Sequence, residues 1–407
     1  MIGNLYFVDF GLEHVALLVA SIDDDRLIDI PLVLRKKIPI SPQRQLSSTE
    51  STENFEVLLL LISEAERILK TNIYSIILTV KNSAINAFFI QCKMEFLKKQ
   101  VVSRAIKEKL ATNAIKSFYK KTDSNYNMLD FICNGFVVDE SNDVRNPYKV
   151  ACKSLMLNAT ILGIKNTFIT QISGLLERFK LHITHYISSC VSVSSLIKNF
   201  IDKNGNFLFI DFGSGATEYC IYHNGCLIYL DSVNIGGIDA TRDISCELGV
   251  YLNDADSVKK KINDEEIQKT ESKTTRYVLS QVENIADARL IEIIKYIFNK
   301  ISEDKKLKNI VFKKIYFFGG MANYKNTEKI IQDIFHTSTE ILTPSHIIGS
   351  NALFEKIKKE FVNVENIQLF GAVNFYLDNL NNYKNSKRGF LFKIPSKISC
   401  FLKDLLY

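Results

Sequence analysis

One local pattern occurs twice. An apolar run at 5–9 ends in Asp9-Phe10-Gly11 and restarts at 15–20; another at 207–210 ends in Asp211-Phe212-Gly213 and restarts at 219–222. Each copy is strand, Asp-Phe-Gly, strand. The repetition, about two hundred residues apart, points to an internal duplication and constrains the chain more than either hairpin alone. Two βββαβα-type halves facing each other would bring both Asp-Phe-Gly turns to one cleft.

The second copy is the richer. After Asp211 the chain runs Phe212-Gly213-Ser214-Gly215-Ala216-Thr217-Glu218, then the turn His223-Asn224-Gly225, a third apolar run at 227–230, and Gly236-Gly237 before a helix start. Glycine has no Cβ, so its N–H groups approach phosphate oxygens closely. Asp211 is suited to hold a hydrated cation through water, because a carboxylate touching phosphate would be repelled; magnesium favours oxygen ligands and keeps several waters. Taken alone, the stretch also fits an ordinary hairpin whose glycines only serve tight turns.

The chain has 407 residues, enough for two or more domains with sizeable cores. Its formal charge of +6 is modest, and no Lys/Arg-rich motif with interleaved aromatics occurs outside the C-terminus, so nucleic-acid binding is not expected. None of the 8 cysteines forms a C-x-x-C pair, and they read as reduced thiols. The 6 histidines offer no H-x-x-x-H spacing for zinc. Residues 1–10 lack the basic and long apolar regions of a signal peptide, and no run reaches ~18 apolar residues, so an intracellular chain without a spanning helix is expected.

Between the hairpins the pattern alternates. Helical spacing marks 55–69, 102–119, 167–179 and 193–200; strand-like runs lie at 73–80, 87–92, 131–138, 154–162 and 183–186. Residues 38–52 read as a surface loop. After the second hairpin, helices are expected from 241 to 248, 254 to 262, 277 to 300, 327 to 335 and 369 to 377. Solvation accounts for the basic face Lys259-Lys260-Lys261. A strand at 310–318 ends at Gly319-Gly320-Met321-Ala322, and a short one lies at 341–342. Strands alternating with helices indicate an α/β protein.

Two Asp-x-Gly hairpins and a strand ending in Gly-Gly follow the order of phosphate, phosphate and adenosine motifs in the actin-like ATPase fold. The chain resembles the FtsA family of bacterial cell-division proteins. Asn146-Pro147 is similar to that family's segment before the chain returns to its first subdomain. Asn234-Ile235-Gly236-Gly237 with Thr241 and Asp243-Ile244 is similar to its G-G-x-x-x-T-x-D-I stretch. Asp254-Ala255-Asp256-Ser257-Val258-Lys259 is similar to D-A-E-x-I-K, and Asp287-Ala288-Arg289 stands where the family has E-P-R.

The resemblance implies two duplicated ribonuclease-H-like domains: subdomain 1A at 1–73 and 157–200, an inserted small α+β subdomain 1C at 74–156, subdomain 2A at 201–245 and 309–378, and subdomain 2B at 246–308. It implies ATP and Mg2+ between the halves. Asp9, Gly11, Asp211, Gly213, Ser214, Gly215, Thr217, Gly236, Gly237, Asp256, Lys259, Gly319, Gly320 and Met321 would line the nucleotide, with Asp9 and Asp211 reaching the metal through water. Implied partners are FtsZ through 2B, copies of the same chain in an actin-like polymer, other divisome proteins, and the cytoplasmic face of the membrane at the division site.

The first loop departs from the family's D-x-G-[ST]-x-K: Leu12 donates no hydroxyl hydrogen bond, and His14 replaces a permanent cation with one mostly neutral at pH 7. In the second loop Ser214 replaces glycine and Ala216 replaces threonine. Actin-like enzymes need a carboxylate or amide to orient water. The segment 187–192 has neither, so hydrolysis is expected to be very slow or absent. A pilus-assembly protein of the PilM kind, a scaffold binding no nucleotide, and a small-molecule kinase of the same fold are the other readings.

The tail carries its own pattern. Residues 379–387 are a polar linker. Beyond it Ile398, Phe401, Leu402, Leu405 and Leu406 fall at i, i+3, i+4, i+7 and i+8, with Phe390 and Leu391 ahead of them and Arg388, Lys393, Lys397 and Lys403 supplying charge. This is the pattern of an interfacial helix on an anionic membrane. A helix that docks on a partner, or on the chain's own core, shares it. FtsA-like proteins carry such a membrane-targeting tail.

Overall fold

The computed structural model describes residues 3–23, 26–38, 52–140, 142–197, 201, 205–262, 273–350 and 354–384. Of the polar linker expected at 379–387, residues 379–384 instead continue the helix that spans Ile367–Lys384; residues 385–387 and the basic amphipathic tail lie outside the described residues.

The duplication is visible in two sheets. The first contains β1 (Gly3–Phe10), β2 (His14–Asp23), β3 (Arg26–Lys37), β4 (Ser75–Val80) and β9 (His182–Ser188), in the order β3-β2-β1-β4-β9. The second contains β10 (Phe207–Phe212), β11 (Thr217–His223), β12 (Cys226–Val233), β13 (Lys314–Gly319) and β14 (Thr339–Ile341), in the order β12-β11-β10-β13-β14. In both, three antiparallel strands are followed by two that join in parallel. The two sheets share one topology, as the paired hairpins predicted.

A third sheet, entirely antiparallel, is made of β5 (Ile85–Val101), β6 (Tyr126–Val138), β7 (Asn142–Val144) and β8 (Ala151–Lys165) in the order β5-β8-β6-β7. Helix α2 (Arg104–Lys121) covers it, and Ile106, Leu110, Ala114 and Phe118 of that helix bury against Phe131, Leu157 and Ile161. This unit meets the second sheet along β12, where the Thr160 hydroxyl donates to the Leu227 carbonyl at 2.8 Å.

The remaining helices are α1 (Thr52–Leu69), α3 (Asn166–Glu177), α4 (Ser189–Ser194), α5 (Gly237–Leu248), α6 (Leu252–Lys261), α7 (Lys273–Glu303), α8 (Thr327–Phe335), α9 (Pro344–Ser350) and α10 (Ile367–Lys384). Helix α1 packs on β2 and β3 of the first sheet and α3 on β8 and β9, whereas α5–α8 share a core with one face of the second sheet and α4, α9 and α10 share a core with the other. Strand β10 is buried throughout, so Phe207 and Phe209 enter one core while Leu208 and Ile210 enter another. That is the side-chain alternation of a strand buried on two faces. Fully burying such side chains is worth about 1.5–3 kcal/mol each, which fixes the register of the hairpin that follows.

Several local expectations move. The helix expected at 193–200 starts earlier, at Ser189, because the Ser188 hydroxyl caps it by accepting from Val191 N at 3.4 Å; a 3-10 turn at Ser195–Ile197 follows. The helix expected from 241 begins at Gly237, since Gly236 N donates to the Asp239 carboxylate at 2.8 Å and closes its first turn. The apolar residues 310–312, and Lys313 after them, precede the strand instead of forming it. Strand β3 had no sequence signal: it is an edge strand carrying Pro31, Arg35, Lys36 and Lys37, and an edge tolerates both proline and charge.

Candidate functional site

The three glycine turns converge on one cleft of about 450 Å³. In the first hairpin Asp9 pairs with Ala16 and Phe10 with Val15, and Gly11 N closes the turn on the His14 carbonyl at 2.8 Å. In the second, Asp211 opposes Glu218 and Phe212 opposes Thr217. Strand β13 runs parallel beside β10 and sets Gly319 against Phe212. Gly319 has φ +95°, and a Cβ there would lie 2.5 Å from the Phe212 carbonyl oxygen and 2.6 Å from Asp211 Oδ1. Only glycine satisfies both the conformation and the space.

At the bottom of the cleft three carboxylates surround one ammonium. Lys81, directly after β4, places Nζ 3.9 Å from Asp9 Oδ1 and 3.7 Å from Asp211 Oδ2. Thr79 Oγ1 donates to Asp9. Gln368 Nε2 donates to Asp211 Oδ2 at 2.5 Å, while Asp211 Oδ1 is buried with no partner among the described residues. Glu218 Oε1 accepts from Asn82 N at 2.5 Å and Oε2 accepts from the Ser189 hydroxyl at 2.8 Å. Burial raises the Asp211 carboxyl above its usual range, with Lys81 opposing the shift. Burial also pushes Glu218 up to about 7. Burial disfavours the Lys81 ammonium, but Asp9, Asp211 and Glu218 outweigh it and hold the side chain charged.

The cleft mouth is spanned by contacts between the halves. Ser214 Oγ donates to Glu13 Oε1 at 2.6 Å. Arg35 Nη1 donates to the Glu365 carbonyl at 2.7 Å, and Lys37 Nζ lies 3.6 Å from Asp256 Oδ2. His14 sits among cations: burial, then Arg35, lower its pKa to about 4, so it is neutral at pH 7, as its sequence position suggested. Lys259 is not the solvated side chain that its basic run suggests. Its Nζ donates to the Gly237 carbonyl at 2.9 Å and to Thr241 Oγ1, and it lies 3.6 Å from Asp256.

At the opposite end Met321 is buried and packs close to Gly237, with Tyr324 beside it in the cleft wall. Tyr324 Oη donates to Asp287 at 2.6 Å, and Asn326 Nδ2 donates to both oxygens of the same carboxylate at 3.0 Å. Asp287 therefore positions the wall. Arg289, two residues on, forms a forked pair with Asp243, Nε to Oδ2 at 2.8 Å and Nη2 to Oδ1 at 2.9 Å, which ties α7 to α5.

Twelve of the residues singled out from the sequence line the cleft: Asp9, Gly11, Asp211, Gly213, Ser214, Gly215, Gly237, Asp256, Lys259, Gly319, Gly320 and Met321. Thr217 and Gly236 are not among the lining residues. Thr217 Oγ1 donates to the Ile235 carbonyl at 2.9 Å, and Gly236 backs the loop, where a Cβ would fall 2.4 Å from the Ser214 carbonyl oxygen. Both shape the turn from behind. The sequence reading missed Lys81, Gln368, Arg35 and Tyr324. For Lys81 a signal existed: a cation immediately follows a buried strand, with the apolar run Ile76-Ile77-Leu78, that pairs with β1. Segment 187–192 supplies only Ser189 to this cluster, while the carboxylate and amide beside Lys81 and Asp211 come from β11 and α10.

A family model described as "Cell division protein FtsA" matches residues 208–363. The Cell division protein FtsA of Bacillus subtilis is 25% identical over 235 residues, covering 54% of this chain and 52% of that protein. Its counterpart in Staphylococcus epidermidis is 22% identical over 301 residues, covering 66% of this chain and 63% of that protein. The chain thus spans about half to under two thirds of the length of these relatives. Among solved structures, a "PilM-PilN type IV pilus biogenesis complex" superposes with a TM-score of 0.63 at 11% identity, covering 92% of this chain and 98% of that one. At that identity the likeness concerns the fold, which is that of the actin-like ATPases.

Proposed function

We propose that this chain, which has the actin-like ATPase fold and resembles Cell division protein FtsA, is an ATP-binding adaptor of cell division that tethers the FtsZ ring to the cytoplasmic face of the membrane. The observation that carries the nucleotide part is the convergence of Gly213, Gly215, Gly319 and Gly320 on one cleft between topologically equivalent sheets. Phosphates would lie against the two hairpin loops, and the base near Met321 and Tyr324. Asp9 and Asp211 share the single Lys81 ammonium, and Asp211 Oδ1 has no partner among the described residues. This donor set suits Mg2+ held through water by Asp9 and Asp211. ATP turnover would be very slow or absent.

The third sheet would be the inserted subdomain, α6 and α7 would belong to the subdomain that meets FtsZ, and copies would assemble as actin-like polymers with other divisome proteins. Among the described residues no helix is long and apolar enough to cross a membrane; the anchor would be the basic amphipathic tail beyond residue 387. Binding of a fluorescent ATP analogue with Mg2+ tests the cleft. Wild type should bind, and Gly215→Val should lose binding because its side chain enters the phosphate space. Equal binding by both, at matched circular dichroism, refutes the site.

A further inference from the structure

Glu13 and Ser214 are 201 residues apart in sequence and 2.6 Å apart in space. Each belongs to a different hairpin loop, and both line the cleft. Ser214 spends its one O–H on the Glu13 carboxylate. The same carboxylate also acts on two ammonium groups of the cleft wall. Burial lowers the proton affinity of Lys259 while Asp256 and Glu13 raise it, and at Lys260 the Asp256 hydrogen bond raises it with Glu13 adding to the effect. The Glu13 backbone is fixed, since its carbonyl accepts from Ile38 N at 2.6 Å. Only the side chain is left to swing.

A carboxylate that takes a loop hydroxyl in a cleft also lined by Lys259 and Lys260 stands where a phosphate oxygen would stand. We infer that Glu13 is a built-in occupant of the phosphate subsite formed by the Ser214 loop, and that it sets the cleft's selectivity by charge. This rests on the nucleotide reading of the cleft. An incoming polyphosphate must displace Glu13 from Ser214 and then lies beside its negative charge. The penalty grows with the charge of the ligand, so triphosphate suffers most and uncharged adenosine least. Displacement also severs one of the contacts that join the two halves, so phosphate binding and release of that contact become one event.

The test is a titration of the full-length protein with fluorescent ATP, ADP and adenosine analogues in Mg2+, comparing wild type, Glu13→Gln, Glu13→Ala and Ser214→Ala. One negative charge a few ångströms from a phosphate oxygen is worth about 1–4 kcal/mol at effective dielectrics of about 80 to 20, so Glu13→Gln should tighten ATP about tenfold or more. ADP should gain less, and adenosine should change less than about twofold on the same electrostatic argument. Ser214→Ala leaves the negative charge in place and should not tighten ATP. Equal ATP affinity in wild type and both Glu13 variants overturns the inference and leaves the cleft reading standing. So does an equal gain for adenosine, which would mark a general opening, or an equal gain in Ser214→Ala, which would mark the bridge instead of the charge. No ATP binding by any of the four proteins removes the cleft reading and this inference with it.

Discussion

Lys81 Nζ stands 3.7 Å from Asp211 Oδ2, on a carboxylate that is only 1% exposed. Lys81 comes from the first half and Asp211 from the second, so the pair closes the cleft at its base. Removing one partner of a buried pair costs about 3–5 kcal/mol, because the remaining charge has lost its compensation. Lys81→Met should therefore lower stability by that order, measured by urea unfolding. Lys81→Met/Asp211→Asn should recover part of the loss. A single variant as stable as wild type would show that the carboxylates are compensated elsewhere.

Glu218 makes a pH prediction. Its pKa rises from the ordinary 4.5 to about 7, chiefly through burial. Between those values the native state holds a proton that the unfolded chain has released, so its contribution to stability is complete below about 4.5 and is lost as pH rises through about 7. One pKa unit corresponds to about 1.36 kcal/mol, so the change is about 3 kcal/mol at most. Glu218→Gln should flatten the stability profile over this window. An unchanged slope would place the titrating group elsewhere.

His14 bears on the phosphates. With a pKa near 4 it carries no charge at neutral pH. Its depressed value contributes stability above about 6.5, lost as pH falls through about 4. Its protonation should therefore leave ATP affinity flat between pH 8 and 6. Leu12→Thr with His14→Lys supplies a hydroxyl and a permanent cation and should tighten ATP about tenfold or more, with turnover changing less than affinity. A brisk steady-state ATPase in wild type would contradict the slow turnover proposed here.

The Asp243–Arg289 pair joins two motif segments. Both side chains are partly exposed, 35% and 24%, and Arg289 keeps Glu292 as a second partner at 2.6 Å. Asp243→Ala should cost only about 1 kcal/mol, within the range of exposed and half-exposed pairs. Urea unfolding measures it. A loss of several kcal/mol would make this pair a keystone of the α5–α7 packing.

The tail gives a cellular-scale prediction. On a helix, Phe401 stands in the middle of the stripe made by Ile398, Leu402, Leu405 and Leu406. Each such side chain is worth up to ~1.5–3 kcal/mol when fully buried, less in shallow insertion, and each basic residue adds about 1 kcal/mol at an anionic leaflet. Phe401→Glu turns both contributions against binding and should release the protein from anionic liposomes, whereas salt should weaken wild type only partly. Removal of residues 388–407 should abolish co-sedimentation and leave ATP binding intact. Pelleting of the truncated chain with lipid as well as full length would end the membrane role of this tail.

The sequence determined the duplication and the places of its turns. Apolar runs of strand length broken by Asp-Phe-Gly need no distant information, because side-chain period and glycine geometry are local, and both sheets came out with the same strand order. Gly319-Gly320 was legible for the same reason. What stood between the loops was not. Lys81 and Gln368 reach the Asp211 carboxylate from 130 residues before it and 157 residues after it in the chain (211 − 81; 368 − 211), and nothing in their own neighbourhoods states a partner. Glu13 finds its partner only where the second hairpin brings Ser214 to it, 201 residues on. Lys259 belonged to a basic run whose ordinary fate is solvent, and only the packing of α6 on α5 turned it to the Gly237 carbonyl. Hydrogen bonds and ion pairs depend on distances between atoms. A chain folded from two similar halves sets those distances across the cleft, where residues far apart in sequence first become neighbours.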